Sequence, residues 1–226
     1  MATAPPLPQS LPEKRQPVLN TVDRVTELCF GLFMALTFVG AVKAVGAGDD
    51  AGRKLFFTAL GCNLAWGLAD AVMFIVRNLA DRGQRLTLAS AVKRDANRAS
   101  AVQTLRDALP ASLEPLVDDA ELELIRARLA ARTTLPPRAR FIREDFVGAL
   151  GVFLLVVVAT FPVALPFLLI GDRTAALVIS RVLTLLMLFV AGFALGRYTG
   201  GGALKTGFVM TLLGIALTVA IILLGG

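Results

Sequence analysis

Apolar residues along this chain gather into five long runs, at 25–45, 55–76, 146–170, 174–195 and 206–224. Each is 19 to 25 residues long, and about 20 helical residues cross the ~30 Å hydrocarbon core of a bilayer. A backbone in lipid must satisfy its own hydrogen bonds, so such runs are read as helices. The pattern predicts an all-α polytopic membrane protein with five transmembrane helices.

The joints between runs are short, with one exception. The first two runs meet through Gly46-Ala-Gly-Asp-Asp-Ala-Gly52, a turn composition. The third and fourth meet through Gly171-Asp172-Arg173, and the fourth and fifth through Gly200-Gly201-Gly202, read as a turn because the G-x-x-x-x-G-K-[ST] spacing of a phosphate loop is absent. The exception is the stretch 77–145. Within it Leu88, Val92, Ala96, Ala99, Val102, Leu105 and Leu109 recur every three or four residues, predicting one amphipathic helix closed by Pro110. Asp118 and Glu121 are spaced as a capping box ahead of a second stripe, Leu122, Ile125 and Leu129, with Pro136-Pro137 beyond it. Arg138-Ala-Arg-Phe-Ile-Arg143 mixes bases with apolar residues, as an interfacial lead-in to the third run should. The expected organisation is therefore a disordered Pro-rich tail (1–22, with no signal-peptide pattern), a transmembrane hairpin (23–78), a small cytoplasmic helical insert between helices two and three (79–145), and spans three to five (146–226).

Composition sharpens this picture. Apolar residues are 56% of the chain and the mean hydropathy is +0.71, beyond the roughly 45–50% apolar content of soluble domains. Eighteen of the 23 Lys and Arg fall on the side that holds the tail, the 77–145 stretch and the 195–206 link. The positive-inside rule then places the N-terminus in the cytoplasm and the C-terminus opposite, in a bacterial inner membrane or an organelle membrane. Topology accounts for the basic excess, and no nucleic-acid-binding motif is present. With no His in the chain, His-based triads and zinc sites are excluded. Cys29 and Cys62 lie in different runs and read as small packing residues. No nucleophile–base pair stands out, and neither an enzyme nor a resident cofactor is expected.

Ionisable residues inside spans are the candidates for chemistry, because lipid makes them costly. Lys43 stands near a span end, where it can snorkel. Asp70 is six residues before Val76, roughly 9 Å into the span. Asn63 is two turns away on the same face, and Glu27, Gly31 and Met34 share a face of span one. A carboxylate, an amide and a thioether could together hold a partly dehydrated divalent cation, or equally form an interhelical hydrogen bond between packed spans. Arg181 lies seven residues into span four, where a cation path would be repelled. Gly192 and Gly196 suit close helix packing. Asp118, Asp119, Glu121 and Glu123 read as helix-start residues, and the basic face of Lys93, Arg94, Arg98 and Arg106 as solvated or set against anionic lipid headgroups.

Several strings resemble the vacuolar iron transporter family over residues 22–226. Span one reads Glu27-Leu-Cys-Phe-Gly31-Leu-Phe-Met34-Ala35-Leu-Thr37, similar to that family's E-x-x-x-G-x-x-D-G-L-T. Pro162-Val-Ala-Leu-Pro166, read as a helix-breaking or packing pair in span three, is similar to its closely spaced proline pair, and residues 183–226 resemble its last two spans. The resemblance implies five spans, a helical cytoplasmic insert, a homodimer, and transport of ferrous iron in exchange for protons. Met34-Ala35 stands where the family has Asp-Gly, and Asn63 where span two has Glu. The family's Met position falls on Ala71, with Met73 nearby, while Asp70 is an additional acid. The insert's first helix is basic rather than a ladder of glutamates.

The expected function is that of a divalent-cation transporter (Fe2+ or Mn2+), with proton coupling through a span carboxylate as an option. Its pathway would be Glu27, Met34, Asn63, Asp70 and Met73, with Glu27 and Asp70 as metal ligands. The alternative is a non-transporting membrane scaffold or regulator acting through the basic insert.

Overall fold

The computed structural model describes Leu19 and residues 21–40, 51–132 and 134–224. Most of the Pro-rich tail, Lys43 and the turn at 46–50 lie outside the described residues. The elements are α1 (Thr21–Gly40), α2 (Ala51–Arg94), α3 (Arg98–Asp107), a 3-10 turn (Glu114–Leu116), α4 (Asp119–Ala130), α5 (Arg143–Ala164), α6 (Pro166–Leu169), α7 (Arg173–Thr199) and α8 (Ala203–Leu223), with no strand among the described residues.

Four helical stretches, Gly52–Arg94, Arg143–Leu169, Arg173–Thr199 and Ala203–Leu223, are long and apolar enough to cross a membrane. The run expected to form a further span, 25–45, is described only as far as Gly40. Its described part, α1, carries Asp23, Arg24 and Glu27 in its first two turns. The chain divides into two compact units, one made of the residues up to Ala71 and from Val147 onward, the other of Val72–Phe146.

In the first unit, Cys29, Leu32, Ala35 and Leu36 of α1 share a core with Ala159 and Val163 of α5 and with Ala176, Leu188 and Ala191 of α7. Helices α7 and α8 approach through glycines. A Cβ at Gly192 would stand 2.8 Å from the Thr206 carbonyl oxygen, and one at Gly196 2.8 Å from that of Gly202. Gly192 and Gly196 therefore stand at the close approach of α7 to the helix that follows. Gly200, in the left-handed region at φ 73°, ends α7, where a residue with a Cβ would be strained. The third apolar run is not one straight helix. Pro162 lies inside α5 and Pro166 opens α6 after a break, since each proline removes a backbone donor and crowds the preceding turn. The Ser180 hydroxyl of α7 donates to the Val163 carbonyl at the break (2.7 Å), one way that freed backbone groups are satisfied in apolar surroundings.

In the second unit the single helix expected over 88–109 is divided. Helix α2 runs without interruption from the apolar run to Arg94, 44 residues or about 66 Å, and α3 begins anew at Arg98. The cause is local. Asp95 accepts the Asn97 N–H (2.8 Å) and the Asn97 side chain accepts from Ala99 N–H (3.0 Å) and Ser100 N–H (3.4 Å), capping α3. The Ser100 hydroxyl and the Asn97 N–H hold the Asp95 carboxyl below the ordinary carboxylate range. The capping box of α4 forms as its spacing indicates, with Asp118 accepting from Glu121 N–H (2.8 Å) and Glu121 from Asp118 N–H (3.1 Å).

Candidate functional site

Two glycines set the geometry around the middle of α5. A Cβ at Gly31 of α1 would be 3.2 Å from the Val156 carbonyl oxygen, and one at Gly67 of α2 would be 3.3 Å from the Phe153 ring. Both helices therefore lie close on α5, with Val156 common to the two contacts.

Asn63, one turn before Gly67, is 1% exposed. Its Nδ2 donates to the Thr160 hydroxyl of α5, which in turn donates to the Val156 carbonyl (2.9 Å). The Asn63 Oδ1 is buried and accepts no hydrogen bond among the described residues. Asp70 is half-buried, with its Oδ2 buried, on the same face of α2 two turns on. On α1, Glu27 and Met34 are half-buried, about one turn to either side of Gly31. Gly31, Asn63, Gly67, Val156 and Thr160 thus meet at one contact, and Glu27, Met34 and Asp70 stand on the faces of α1 and α2 that carry its glycines. Met73 is 57% exposed and Ala71 is buried, so Met73 does not extend the buried stripe.

Among the described residues no three of His, Cys, Asp or Glu converge as a metal-holding group. The polar groups at the contact and on the flanking faces are an amide, a hydroxyl, a thioether and two carboxylates, carried by α1, α2 and α5. Arg181 is half-buried on α7 and forms no ion pair among the described residues.

A second polar centre, in the Val72–Phe146 unit, was not foreseen. The Asp145 carboxylate, 2% exposed, takes two hydrogen bonds from Arg82 (2.7 and 3.0 Å). It also accepts from Ile142 N–H (2.9 Å) and Asn78 Nδ2 (3.5 Å). Arg82 also donates to the Arg140 carbonyl (2.6 Å). The Arg82 hydrogen bonds hold the Asp145 carboxyl below the ordinary range against the opposing effect of burial, and the Ile142 N–H adds to this. Both groups lie outside the apolar runs 55–76 and 146–170. The available signal was Asp145 at the third position of α5, where a carboxylate caps the helix start; its partner 63 residues earlier had none. The basic face expected at 93–106 is partly consumed within the unit. Arg106 pairs with Asp119 (2.6 Å) and Lys93 donates to the Arg132 carbonyl. Glu123, besides standing early in α4, pairs with Arg126 (2.7 Å) and is thereby held below the ordinary carboxylate range.

No family model matches the chain, and no curated protein does either.

Proposed function

We propose that this chain is an integral membrane protein of the vacuolar iron transporter type that carries a divalent cation, Fe2+ or Mn2+, along the contact of α1 and α2 with α5. In this reading it is a homodimer with its N-terminus in the cytoplasm and its C-terminus opposite. The observation that carries the proposal is Asn63. A buried amide oxygen with no donor costs about 1–3 kcal/mol relative to a paired one, and more where no water can reach it. A hard oxygen kept in that state, two turns from the Asp70 carboxylate on one face, is suited to replace a water in a cation's shell. Glu27 and Asp70 would supply negative charge at the same contact and Met34 a soft donor that favours a transition metal over Mg2+ or Ca2+. Either carboxylate would also serve as the proton-exchanging group of a coupled cycle, the usual role of an acid within a span.

Calorimetry of the purified protein with Mn2+ tests the binding step. Saturable binding that weakens at least about tenfold, 1.4 kcal/mol, in both Asp70→Asn and Asn63→Leu is expected. Wild-type protein that is folded and shows no heat beyond dilution would overturn it. One observation favours the scaffold reading instead, that Val72–Phe146 forms a compact unit of its own. In that case the metal titration is silent, and deleting the Val72–Phe146 unit abolishes recovery of a partner in pull-downs.

A further inference from the structure

In the Val72–Phe146 unit the second half of α2 and the segment 137–139 flank an open groove of about 460 Å³. Gly83, Thr87, Ser90 and Arg94 face it at helical spacings of four, three and four, and Pro137 and Arg138 form the opposite wall. No carboxylate among the described residues lines it. Thr87, Ser90, Arg94 and Arg138 make no hydrogen bond or ion pair among the described residues. Thr104, on α3 of the same unit, turns its hydroxyl back onto the preceding turn (3.0 Å to the Ser100 carbonyl); the two groove hydroxyls do not.

We propose that this groove is a binding site for a phosphate monoester. Two guanidinium forks match phosphate oxygens in pairs, and two hydroxyls on one helix face supply further donors. The volume exceeds that of a bare phosphate ion and falls in the range of small-ligand pockets, about 300–1,000 Å³, so the phosphate carries an organic group. The phosphate could belong to a soluble ester or to a lipid headgroup. The groove residues of α2 stand 7 to 18 positions beyond Val76, the end of the apolar run. That is about 10–27 Å along the helix, whereas the headgroup layer is only about 5–8 Å deep, which favours the soluble ester. This site is independent of what the spans carry.

The test uses the full chain in phosphatidylcholine nanodiscs titrated with inorganic pyrophosphate in a calorimeter, repeated in nanodiscs doped with phosphatidic acid. Gly83 provides a blocking variant, because a Cβ there meets nothing within 4 Å and Gly83→Phe fills the groove without a clash at its root. Saturable binding is expected in plain nanodiscs, weakened at least about tenfold in Arg94→Ala, Arg138→Ala and Gly83→Phe. Arg128→Ala, which removes an exposed charge on α4, should bind as the wild type does. Persistence of binding in the doped nanodiscs identifies the soluble ester, and its loss there identifies the headgroup phosphate as the occupant of the same site. No saturable binding in plain nanodiscs, binding indifferent to Gly83→Phe, or an equal loss in Arg128→Ala overturns the proposal.

Discussion

At Asn63 the two ends of one amide differ: the nitrogen has Thr160, and the oxygen has no donor among the described residues. Replacement by Leu removes an unsatisfied acceptor while keeping the number and branching of the side-chain heavy atoms. Asn63→Leu should therefore leave the thermal midpoint in detergent unchanged or raise it, with metal binding lost. A lowered midpoint with intact binding would make Asn63 a packing residue. The Arg82–Asp145 pair predicts an asymmetry. Arg82, a third exposed, can turn to water when Asp145 is removed, but Asp145 cannot when Arg82 is removed. Arg82→Ala should cost about 3 kcal/mol, the low end for stranding a buried carboxylate, and Asp145→Ala clearly less, measured by denaturant unfolding. The pH dependence follows from the depressed Asp145 carboxyl. Its stabilisation is fully present above the unfolded value of about 3.9 and is lost as pH falls through the lower folded value. Stability attributable to this pair should be flat from neutral pH to about pH 5 and fall only in stronger acid. Asp145→Asn should remove that acid-limb slope, and a wild-type slope near neutrality that this variant abolished would contradict the assignment.

The elements were legible where periodicity and caps agreed. The α4 capping box at Asp118 and Glu121 formed as spaced, and four of the five apolar runs fall within helices of membrane-crossing length. One boundary was not legible. The apolar stripe from Leu88 to Leu109 continues across Asp95-Ala-Asn97, and periodicity alone does not register that two short polar side chains there offer the backbone a better set of hydrogen bonds than the helix. In run 146–170 the break between α5 and α6 falls between Pro162 and Pro166, the pair that the sequence marks as helix-breaking. Asn97→Ala should loosen the start of α3 by about 1 kcal/mol, seen as faster amide exchange over residues 98–101 and not in α4. Glycines separate into two kinds. Gly196→Leu forces a side chain onto the Gly202 carbonyl and the Thr206 hydroxyl and should destabilise the α7–α8 pair by about 1–3 kcal/mol. Gly61→Ala meets nothing within 4 Å and should be neutral or stabilising by up to about 1 kcal/mol; equal losses at both sites would refute the close-approach reading.

For the whole molecule, the candidate site was legible in its polar residues and not in its partners. Asn63 and Asp70 stand out in an apolar run because lipid makes them costly, whereas Thr160 is an ordinary span residue until α5 is set against α2. The Gly31 and Gly67 approaches are likewise a property of three helices together. Transport is the claim on which the account rests, and it belongs to the complete chain in a sealed bilayer. The most direct measurement is Mn2+ and Fe2+ uptake into proteoliposomes under an imposed pH gradient, with Asp70→Asn and Asn63→Leu in parallel. Uptake that follows the gradient and falls at least about tenfold in each variant, 1.4 kcal/mol in the barrier, is the predicted result. Folded, inserted protein that gives no uptake above empty liposomes would contradict it.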